Sequence, residues 1–318
     1  MTSAADPIGQ MLRSQGYVVI DGAMATELER HGADLDDPLW SARCLIESPE
    51  LVHRVHSEYL HAGADVLISA TYQASVAGFM ERGMDEPAAT RLIRLGVVLA
   101  QQARDEFWSD TSNRQGRLRP LVAASVGPFG ACLYDGSEYH GNYRASWHEV
   151  AEFHHKRLDV LVTCEPDLLA FETIPSLREA EILLDLLEDY EIPAWLSFSC
   201  WDEQYLSHGE PFIEGVKLAA RSGKISAVGV NCTPPKYIGS LLQQAAGSTI
   251  PLLVYPNSGE TWVPEDHCWI GAGEGHLDTA AWYQSGARLI GGCCRTGPSQ
   301  IAETRAELAA LAGNPPSE

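Results

Sequence analysis

Three cysteines in two places of the chain could together hold a metal ion. Cys232 ends the segment VGVNC (228–232), and Cys293 and Cys294 form the adjacent pair in LIGGCC (289–294). Each group ends a short apolar run with nearby glycines, a pattern typical of a buried strand that runs into a tight loop. Adjacent cysteines do not form an unstrained disulfide with each other, because disulfide-linked Cα atoms prefer to lie roughly 4.4–6.8 Å apart.

Two neighbouring thiols and a third from another strand end suit Zn²⁺. Three protein ligands leave the fourth tetrahedral position open, which is the mark of a catalytic zinc site. Cys200 also ends an apolar run and could act as a fourth ligand, which would close the site. The pattern therefore predicts zinc on Cys232, Cys293 and Cys294, with a non-catalytic zinc-binding or thiol-sensing module as the alternative to an enzyme.

The charge balance limits the classes of partner. The chain has 318 residues with 22 Lys or Arg and 43 Asp or Glu, which gives a net charge of −21. Nucleic acid and anionic membranes need basic patches, so neither is expected as a partner. No apolar run reaches the ~18 residues of a membrane span, and the N-terminal segment lacks the apolar core of a signal peptide. We expect a cytoplasmic protein with reduced thiols, whose oligomeric state the sequence leaves open.

Eight short apolar segments predict strands of a parallel sheet that is covered on both faces. They are residues 17–21, 64–69, 121–126, 167–172, 194–199, 227–231, 251–256 and 287–292. Helix start signals lie between them, including the capping-box spacings of Ser146 with Glu149 and of Ser176 with Glu179. Eight β/α units without a composition break predict a single-domain (β/α)₈ TIM barrel over residues 1–318, with an open doubly wound sheet as the alternative.

Polar residues follow several of these strands, at the face where barrel active sites are built. Asp21 ends the first strand, Thr71 and Tyr72 follow the second, Glu172 closes the fourth, and Asn257 follows the seventh. All five are candidate substrate-binding residues. A buried carboxylate is costly unless it meets a cation or hydrogen-bond donors. Asp21 and Glu172 are therefore candidates to bind a substrate ammonium group, and the capping of a neighbouring loop or helix is the alternative for each.

Five motifs spread over nearly the whole chain resemble the homocysteine S-methyltransferase family, above all its single-domain branch that uses S-methylmethionine. They are DGAMATELERHG (21–32), FETIPS (171–176), VGVNC (228–232), YPNSGE (255–260) and GGCCRT (291–296). The resemblance implies a (β/α)₈ barrel, Zn²⁺ on the three cysteines, the homocysteine thiolate as fourth ligand, and Asp21 and Glu172 at the amino-acid end of L-homocysteine. It also implies L-methionine as product, with S-methyl-L-methionine as the preferred methyl donor and S-adenosylmethionine as a possible one.

A sulfonium donor carries positive charge, which aromatic faces attract. Four aromatic residues in predicted top loops are candidates for this role, with ordinary packing as the alternative: Tyr72, Phe129, Tyr134 and Trp262. The segment of residues 130–143 is rich in glycine and tyrosine, and we interpret it as a flap over the donor site, with a plain surface loop as the alternative.

Two further features have simple interpretations. His53, His56, His61 and the pair His154–His155 lie on predicted barrel helices away from the active-site face, so we expect solvated or helix-packing side chains. The acidic run from Glu179 to Glu191 predicts a solvated helix face.

Overall fold

The computed structural model describes residues 6–34, 40–133, 135–263, 268–271, 273 and 277–313. Among these residues, ten strands and twelve α-helices form in chain order. The strands are β1 Val18–Val19, β2 Val66–Ile68, β3 Leu121–Val126, β4 Leu168–Ile174, β5 Ala194–Phe198, β6 Ile225–Asn231, β7 Leu252–Tyr255, β8 Thr261–Val263, β9 Cys268–Ile270 and β10 Ala287–Ile290.

The helices alternate with the strands, as the start signals predict. Their bounds are α1 Pro7–Gln15, α2 Met24–Arg30, α3 Cys44–Glu47, α4 Pro49–Ala62, α5 Val76–Glu81, α6 Glu86–Ser109, α7 Trp147–Val162, α8 Leu177–Leu187, α9 Phe212–Ala219, α10 Pro235–Gln244, α11 Thr279–Gln284 and α12 Pro298–Gly313. The capping box of Ser146 and Glu149 is complete at the start of α7.

Eight parallel strands of the described chain form one sheet in the order β1-β10-β7-β6-β5-β4-β3-β2. The two outer strands of this order meet, because Ile20 bridges Val66 in parallel and the Asp21 amide donates to the Val66 carbonyl at 3.1 Å. The sheet is therefore closed, which confirms the TIM barrel and rules out the open doubly wound alternative. β8 and β9 form a separate antiparallel hairpin after β7.

The eight predicted strand positions are confirmed, although several strands are shorter than their apolar segments. The first prediction covered residues 17–21, whereas β1 has two residues, and Ile20 after it forms a single parallel bridge to Val66. That a single domain extends over residues 1–318 stays a prediction.

Helix α1 covers the amino-terminal end of the barrel. Its buried Ile8 and Met11 pack against the inward-facing side chains of the strands, Val18 and Trp195 among them. Beside it, buried Asp65 accepts hydrogen bonds from Gln15 at 2.8 Å and from Arg305 at 2.6 and 2.7 Å. These bonds join α1 and α12 to the start of β2, so the barrel has a closed floor opposite the face that carries the cysteines.

Among the described residues, no helix combines the length and the apolar character that a membrane crossing would require.

Candidate active site

The three predicted cysteines meet at the carboxyl ends of the strands. Cys232 follows β6 directly, and Cys293 and Cys294 come directly after the two glycines that follow β10. The Sγ atoms of Cys232 and Cys293 are 2.7 Å apart, and those of Cys293 and Cys294 are 4.0 Å apart. All three Sγ atoms lie within 4.8 Å of one another, a spacing that can hold a metal ion.

The thiols of this cluster differ in their pKa. Hydrogen bonds from Cys232 and then Cys293 lower the pKa of Cys294 well below the ordinary value of a thiol. Hydrogen bonding with Cys293 and Cys294, together with burial, raises the pKa of Cys232. The cluster thus favours a thiolate at Cys294, and a cation would be needed to hold three thiolates at this spacing.

The two glycines before the cysteine pair are required by close packing. A Cβ atom at Gly291 would lie 2.6 Å from the Ile20 carbonyl oxygen, and one at Gly292 would lie 2.1 Å from Cγ2 of Thr296. The loop is further fixed where the Gly292 amide donates to the Asp21 carbonyl at 3.2 Å and the Cys293 amide donates to the Pro256 carbonyl at 2.7 Å. The cysteine pair is therefore held by the backbones that follow β1 and β7.

Backbone strain marks the same region. Four non-glycine residues of the described chain have positive φ, and three of them stand at the site: Thr173 at 59°, Cys232 at 47° and Arg295 at 69°. Each is either a cysteine of the cluster or directly follows Glu172 or Cys294. Such conformations cost energy and persist where surrounding contacts enforce them, so the fold is holding these side chains in fixed directions.

The two predicted carboxylates lie beside the cysteines. Glu172 is buried and accepts hydrogen bonds from the Ser125 hydroxyl and, at 3.1 Å, from the Tyr255 hydroxyl. Burial raises the pKa of Glu172 to about 7, although the bond from Ser125 opposes the rise. Asp21 accepts from the Ile68 amide at 2.9 Å through Oδ2, while its buried Oδ1 has no hydrogen-bond partner among the described residues. Burial, then Glu172 and Cys293, raise the pKa of Asp21.

A buried amide fixes the strand end that carries Glu172. Asn231 accepts from the Thr173 amide and donates to the Thr173 hydroxyl, both at 2.7 Å. Asn231 directly precedes Cys232, so this pair joins the ends of β4 and β6. Sequence reasoning quoted Asn231 within the VGVNC motif but assigned it no role.

A buried arginine fixes the ends of β2 and β3. The Arg157 guanidinium on α7 donates to the Gly127 carbonyl at 3.0 Å and to the carbonyls of Thr71 and Tyr72. Tyr72 is thereby held in the wall of the site. No sequence motif pointed to Arg157, because its partners are backbone atoms more than 25 residues away.

The site is a cavity of about 130 Å³ that the cysteine cluster borders. Of the predicted residues, five line it: Tyr72, Glu172, Cys232, Cys293 and Cys294. Asp21 does not line the cavity, although its chain neighbour Gly22 does. Tyr139, in the flap, also lines the cavity and was not singled out from the sequence, because tyrosines are frequent in that segment.

The remaining predicted residues lie elsewhere. The Thr71 hydroxyl is fully buried and donates to the Ser125 carbonyl at 2.8 Å, and Asn257 has a buried Oδ1 without a partner among the described residues; neither lines the cavity. The Phe129 ring packs edge-on against Tyr143 and Phe153, with centroids 5.2 Å apart in both pairs. Within the described chain, Cys200 is not part of the thiol cluster. The residue Tyr134 and the side chain of Trp262 lie outside the described residues.

The solvated-face prediction for the acidic run is wrong at its first residue. Glu179 is fully buried, and its Oε1 accepts from the Phe129 amide at 2.6 Å and lies 2.8 Å from His154 Nε2. His154 Nδ1 has no partner in the described chain, which places the ring proton on Nε2. Ser176 still caps α8 by accepting from the Glu179 amide at 3.3 Å, but the Glu179 carboxylate turns inward to the start of the flap.

A closed parallel barrel with three converging thiols and two buried carboxylates at the carboxyl ends of its strands defines the class of barrel proteins that bind substrates at this face. Comparisons with known proteins identify the family within this class. The profile of the homocysteine S-methyltransferase family matches residues 18–308.

Relatives and solved structures agree with this match. Homocysteine S-methyltransferase YbgG of Bacillus subtilis (strain 168) is 48% identical over 306 residues, which are 95% of this chain and 97% of that protein. Homocysteine S-methyltransferase 1 of Zea mays is 48% identical over 91% of this chain and 93% of its own. The metallated form of the homocysteine methyltransferase MmuM from Escherichia coli superposes with a TM-score of 0.84 at 42% identity, and covers 95% of this chain and 99% of its own.

The chain therefore belongs to the homocysteine S-methyltransferase family and is an enzyme of that class. The family resemblance seen in the sequence is confirmed, and the alternative of a non-catalytic module is set aside.

Proposed function

We propose that this enzyme transfers a methyl group from a sulfonium donor, by preference S-methyl-L-methionine, to L-homocysteine bound at a zinc ion on Cys232, Cys293 and Cys294. The observation that carries this proposal is the convergence of the three Sγ atoms within 4.8 Å at the border of a cavity that also contains Glu172. S-Adenosylmethionine is the second candidate donor.

The three cysteine sulfurs are suited to binding zinc. Sulfur ligands about 2.3 Å from a tetrahedral zinc lie roughly 3.8 Å apart. The 4.0 Å between Cys293 and Cys294 is close to this spacing, whereas the 2.7 Å between Cys232 and Cys293 is shorter and has to widen. The metallated form of the Escherichia coli relative also supports a metal in this family. When bound, zinc would keep the substrate thiol deprotonated, and three cysteinates would keep that sulfur electron-rich.

The carboxylates suit the amino end of homocysteine. The Asp21 Oδ1 atom is buried without a donor, and an ammonium group would satisfy it. Glu172 has one hydrogen bond on each oxygen, which leaves lone pairs on both for the same group. We assign both residues to substrate binding, with Tyr72 in the wall of the cavity. Thr71 and Asn257 stay predicted substrate-binding residues, although the contacts of Thr71 favour a positioning role.

The methyl transfer depends on the alignment of the two reactants more than on acid–base catalysis. The homocysteine sulfur attacks the methyl carbon, a new carbon–sulfur bond forms, and the donor's carbon–sulfur bond breaks with its electron pair left on the donor sulfur. Fixed orientation of the two reactants in line can supply about 7–11 kcal/mol of such a barrier. The enforced backbone at Thr173, Cys232 and Arg295 supports that role for the site.

The test is a donor panel with L-homocysteine as acceptor. We expect methionine formation with S-methyl-L-methionine to exceed that with S-adenosylmethionine, and expect none with betaine. A zinc chelator should abolish the activity, and added Zn²⁺ should restore it. X-ray absorption at the zinc edge should show one more sulfur ligand after homocysteine is added. An unchanged zinc shell, or full activity in a metal-free enzyme, would overturn the proposal.

A further inference from the structure

The flap contains a buried carboxylate that no described group neutralises. The Oε2 atom of Glu138 is buried and has no hydrogen-bond partner among the described residues. Burial raises the pKa of Glu138 to about 7, and the charged side chain that acts on it most is another carboxylate, that of Asp135. A carboxylate in such a position is costly unless a cation arrives to pair with it.

The backbone of the flap fixes the position of Glu138. A Cβ atom at Gly130 would lie 2.5 Å from the Glu138 amide nitrogen, so only a glycine lets the two parts of the flap pack this closely. The Ser137 amide donates to Asp135 at 3.0 Å, and the Gly141 amide donates to the Ser137 carbonyl at 2.8 Å. Glu138 therefore stands on a compact turn and not on a free loop.

Two tyrosines connect Glu138 with the active-site cavity. Tyr72 and Tyr139 line the same cavity as Cys232. Burial raises the pKa of Tyr72, and the charges of Cys232 and Glu138 add to this rise. Burial likewise raises the pKa of Tyr139, with Cys294, Cys232 and Glu138 adding to it. Glu138 directly precedes Tyr139 in the chain, and its charge acts on both of the phenols that line the cavity. Tyr139 remains 37% exposed, as fits a residue in the wall of an open cavity.

We propose that Glu138, with the rings of Tyr72 and Tyr139, forms the subsite that binds the positively charged sulfonium end of the methyl donor. The inference rests on the proposed function, because it assumes a sulfonium donor. A sulfonium has no N–H or O–H to donate, so it is recognised by aromatic faces and by the field of a nearby carboxylate. The unpartnered oxygen of Glu138 and the two phenol rings in the cavity wall supply both.

The subsite distinguishes donor from product by charge. When the methyl carbon passes to the homocysteine sulfur, the electron pair of the broken bond stays on the donor sulfur, and that sulfur becomes a neutral thioether. The attraction of Glu138 for the donor disappears in the same step. The carboxylate therefore favours binding of the donor and release of the product, and its loss should change KM for the donor more than kcat.

The experiment compares an unreactive cation with its neutral isostere as inhibitors competing with the donor. The probes are choline and 3,3-dimethyl-1-butanol, tested on the zinc-loaded enzyme at saturating homocysteine. We expect choline to inhibit the natural enzyme more strongly, and we expect Glu138→Gln to reduce that preference by about tenfold. The same variant should raise KM for the sulfonium donor by about tenfold, and leave the KM for homocysteine and the zinc content unchanged.

Glu152→Gln is the matched control, because Glu152 is an exposed carboxylate of α7 and the substitution is the same. It should keep the preference for choline. A Glu138→Gln enzyme with an undiminished choline preference would overturn the subsite, and so would one that loses zinc or homocysteine binding as its main defect. Failure of the proposed function gives a different result, since the natural enzyme would then form no methionine from any sulfonium donor.

Discussion

The hydroxyl of Tyr143, the last residue of the flap, donates a hydrogen bond of 2.6 Å to Oε2 of buried Glu179. The other oxygen of the same carboxylate holds the Phe129 amide, directly before the flap. One side chain of α8 thus fixes both ends of the segment that carries Glu138 and Tyr139 to the cavity. Glu179 therefore fixes the position of the flap, although it does not line the cavity.

Removal of one of these anchors should loosen the flap. We expect Tyr143→Phe to raise KM for the methyl donor about three- to tenfold, because a hydrogen bond of this kind contributes roughly 0.5–1.5 kcal/mol. Steady-state kinetics with each substrate varied in turn would measure it. Tyr190→Phe is the control, since the Tyr190 hydroxyl donates to Asp159 at 2.7 Å on the exposed surface. An unchanged donor KM in Tyr143→Phe would show that the flap is held by its other contacts.

The cysteine assignment predicts a loss of metal without a loss of fold. Cys293→Ala should reduce bound zinc from about one ion per chain to near zero and abolish methionine formation, because two thiols hold the ion far more weakly than three. Far-ultraviolet circular dichroism should stay close to that of the natural enzyme. Cys200→Ala is the control and should keep its zinc, since Cys200 lies outside the cluster in the described chain. A metal-replete and active Cys293→Ala enzyme would contradict the assignment.

The carboxylate assignment predicts a defect in substrate binding. Glu172→Gln keeps the shape of the side chain but removes its charge, so KM for homocysteine should rise about 10- to 100-fold, the range of one charge-assisted hydrogen bond. Zinc content, measured by atomic absorption, should not change. Glu188→Gln serves as the control, since Glu188 is an exposed residue at the end of α8. If zinc loss were the main effect of Glu172→Gln, Glu172 would belong to the metal site instead.

Buried His56 should contribute a loss of stability in mild acid. This ring on α4 is fully buried, both its nitrogens lack partners in the described chain, and burial lowers its pKa to about 3. Below the unfolded-state pKa near 6.5, the unfolded chain binds a proton that the folded chain refuses, so stability falls by up to about 1.4 kcal/mol per pH unit. The carboxyl groups of Glu138 and Glu172, whose pKa is raised to about 7, act in the opposite direction over the same pH range, so the contribution of His56 is measured as a difference between variants. On going from pH 7.5 to 5.5, the free energy of unfolding in urea should change more favourably in His56→Leu than in the natural enzyme, by about 1.4 kcal/mol. His148→Leu, at an exposed position, should show the same change as the natural enzyme.

The sequence predicted the barrel and the thiol cluster because both leave local patterns. Apolar runs mark the strands, and glycines before Cys293 and an asparagine before Cys232 mark the loops that carry the three cysteines. The sequence wrongly predicted a solvated Glu179, since an acidic residue in an acidic run is ordinarily exposed to solvent. Its burial depends on His154, Phe129 and Tyr143, which are 25 to 50 residues away in the chain.

The backbone conformation of Thr173 could not be predicted from the sequence either. Thr173 is β-branched and unsuited to a positive φ, and it adopts one because Asn231 holds both its amide and its hydroxyl. The contact joins two strands that are separated along the chain by a further strand. No short-range pattern encodes such a pair, which is why Asn231 received no role until the two strand ends were seen together.

In the described part of the chain, α1 closes one end of the barrel. With Ile8 and Met11 filling that end, we expect both reactants to enter, and both products to leave, at the face that carries the cysteines. On the proposed function, homocysteine sits against the cysteines and is the deeper of the two reactants, so we expect it to bind first and its product to leave last. We therefore expect an ordered kinetic sequence in which the thiol acceptor precedes the methyl donor, and in which surplus donor obstructs the acceptor's path.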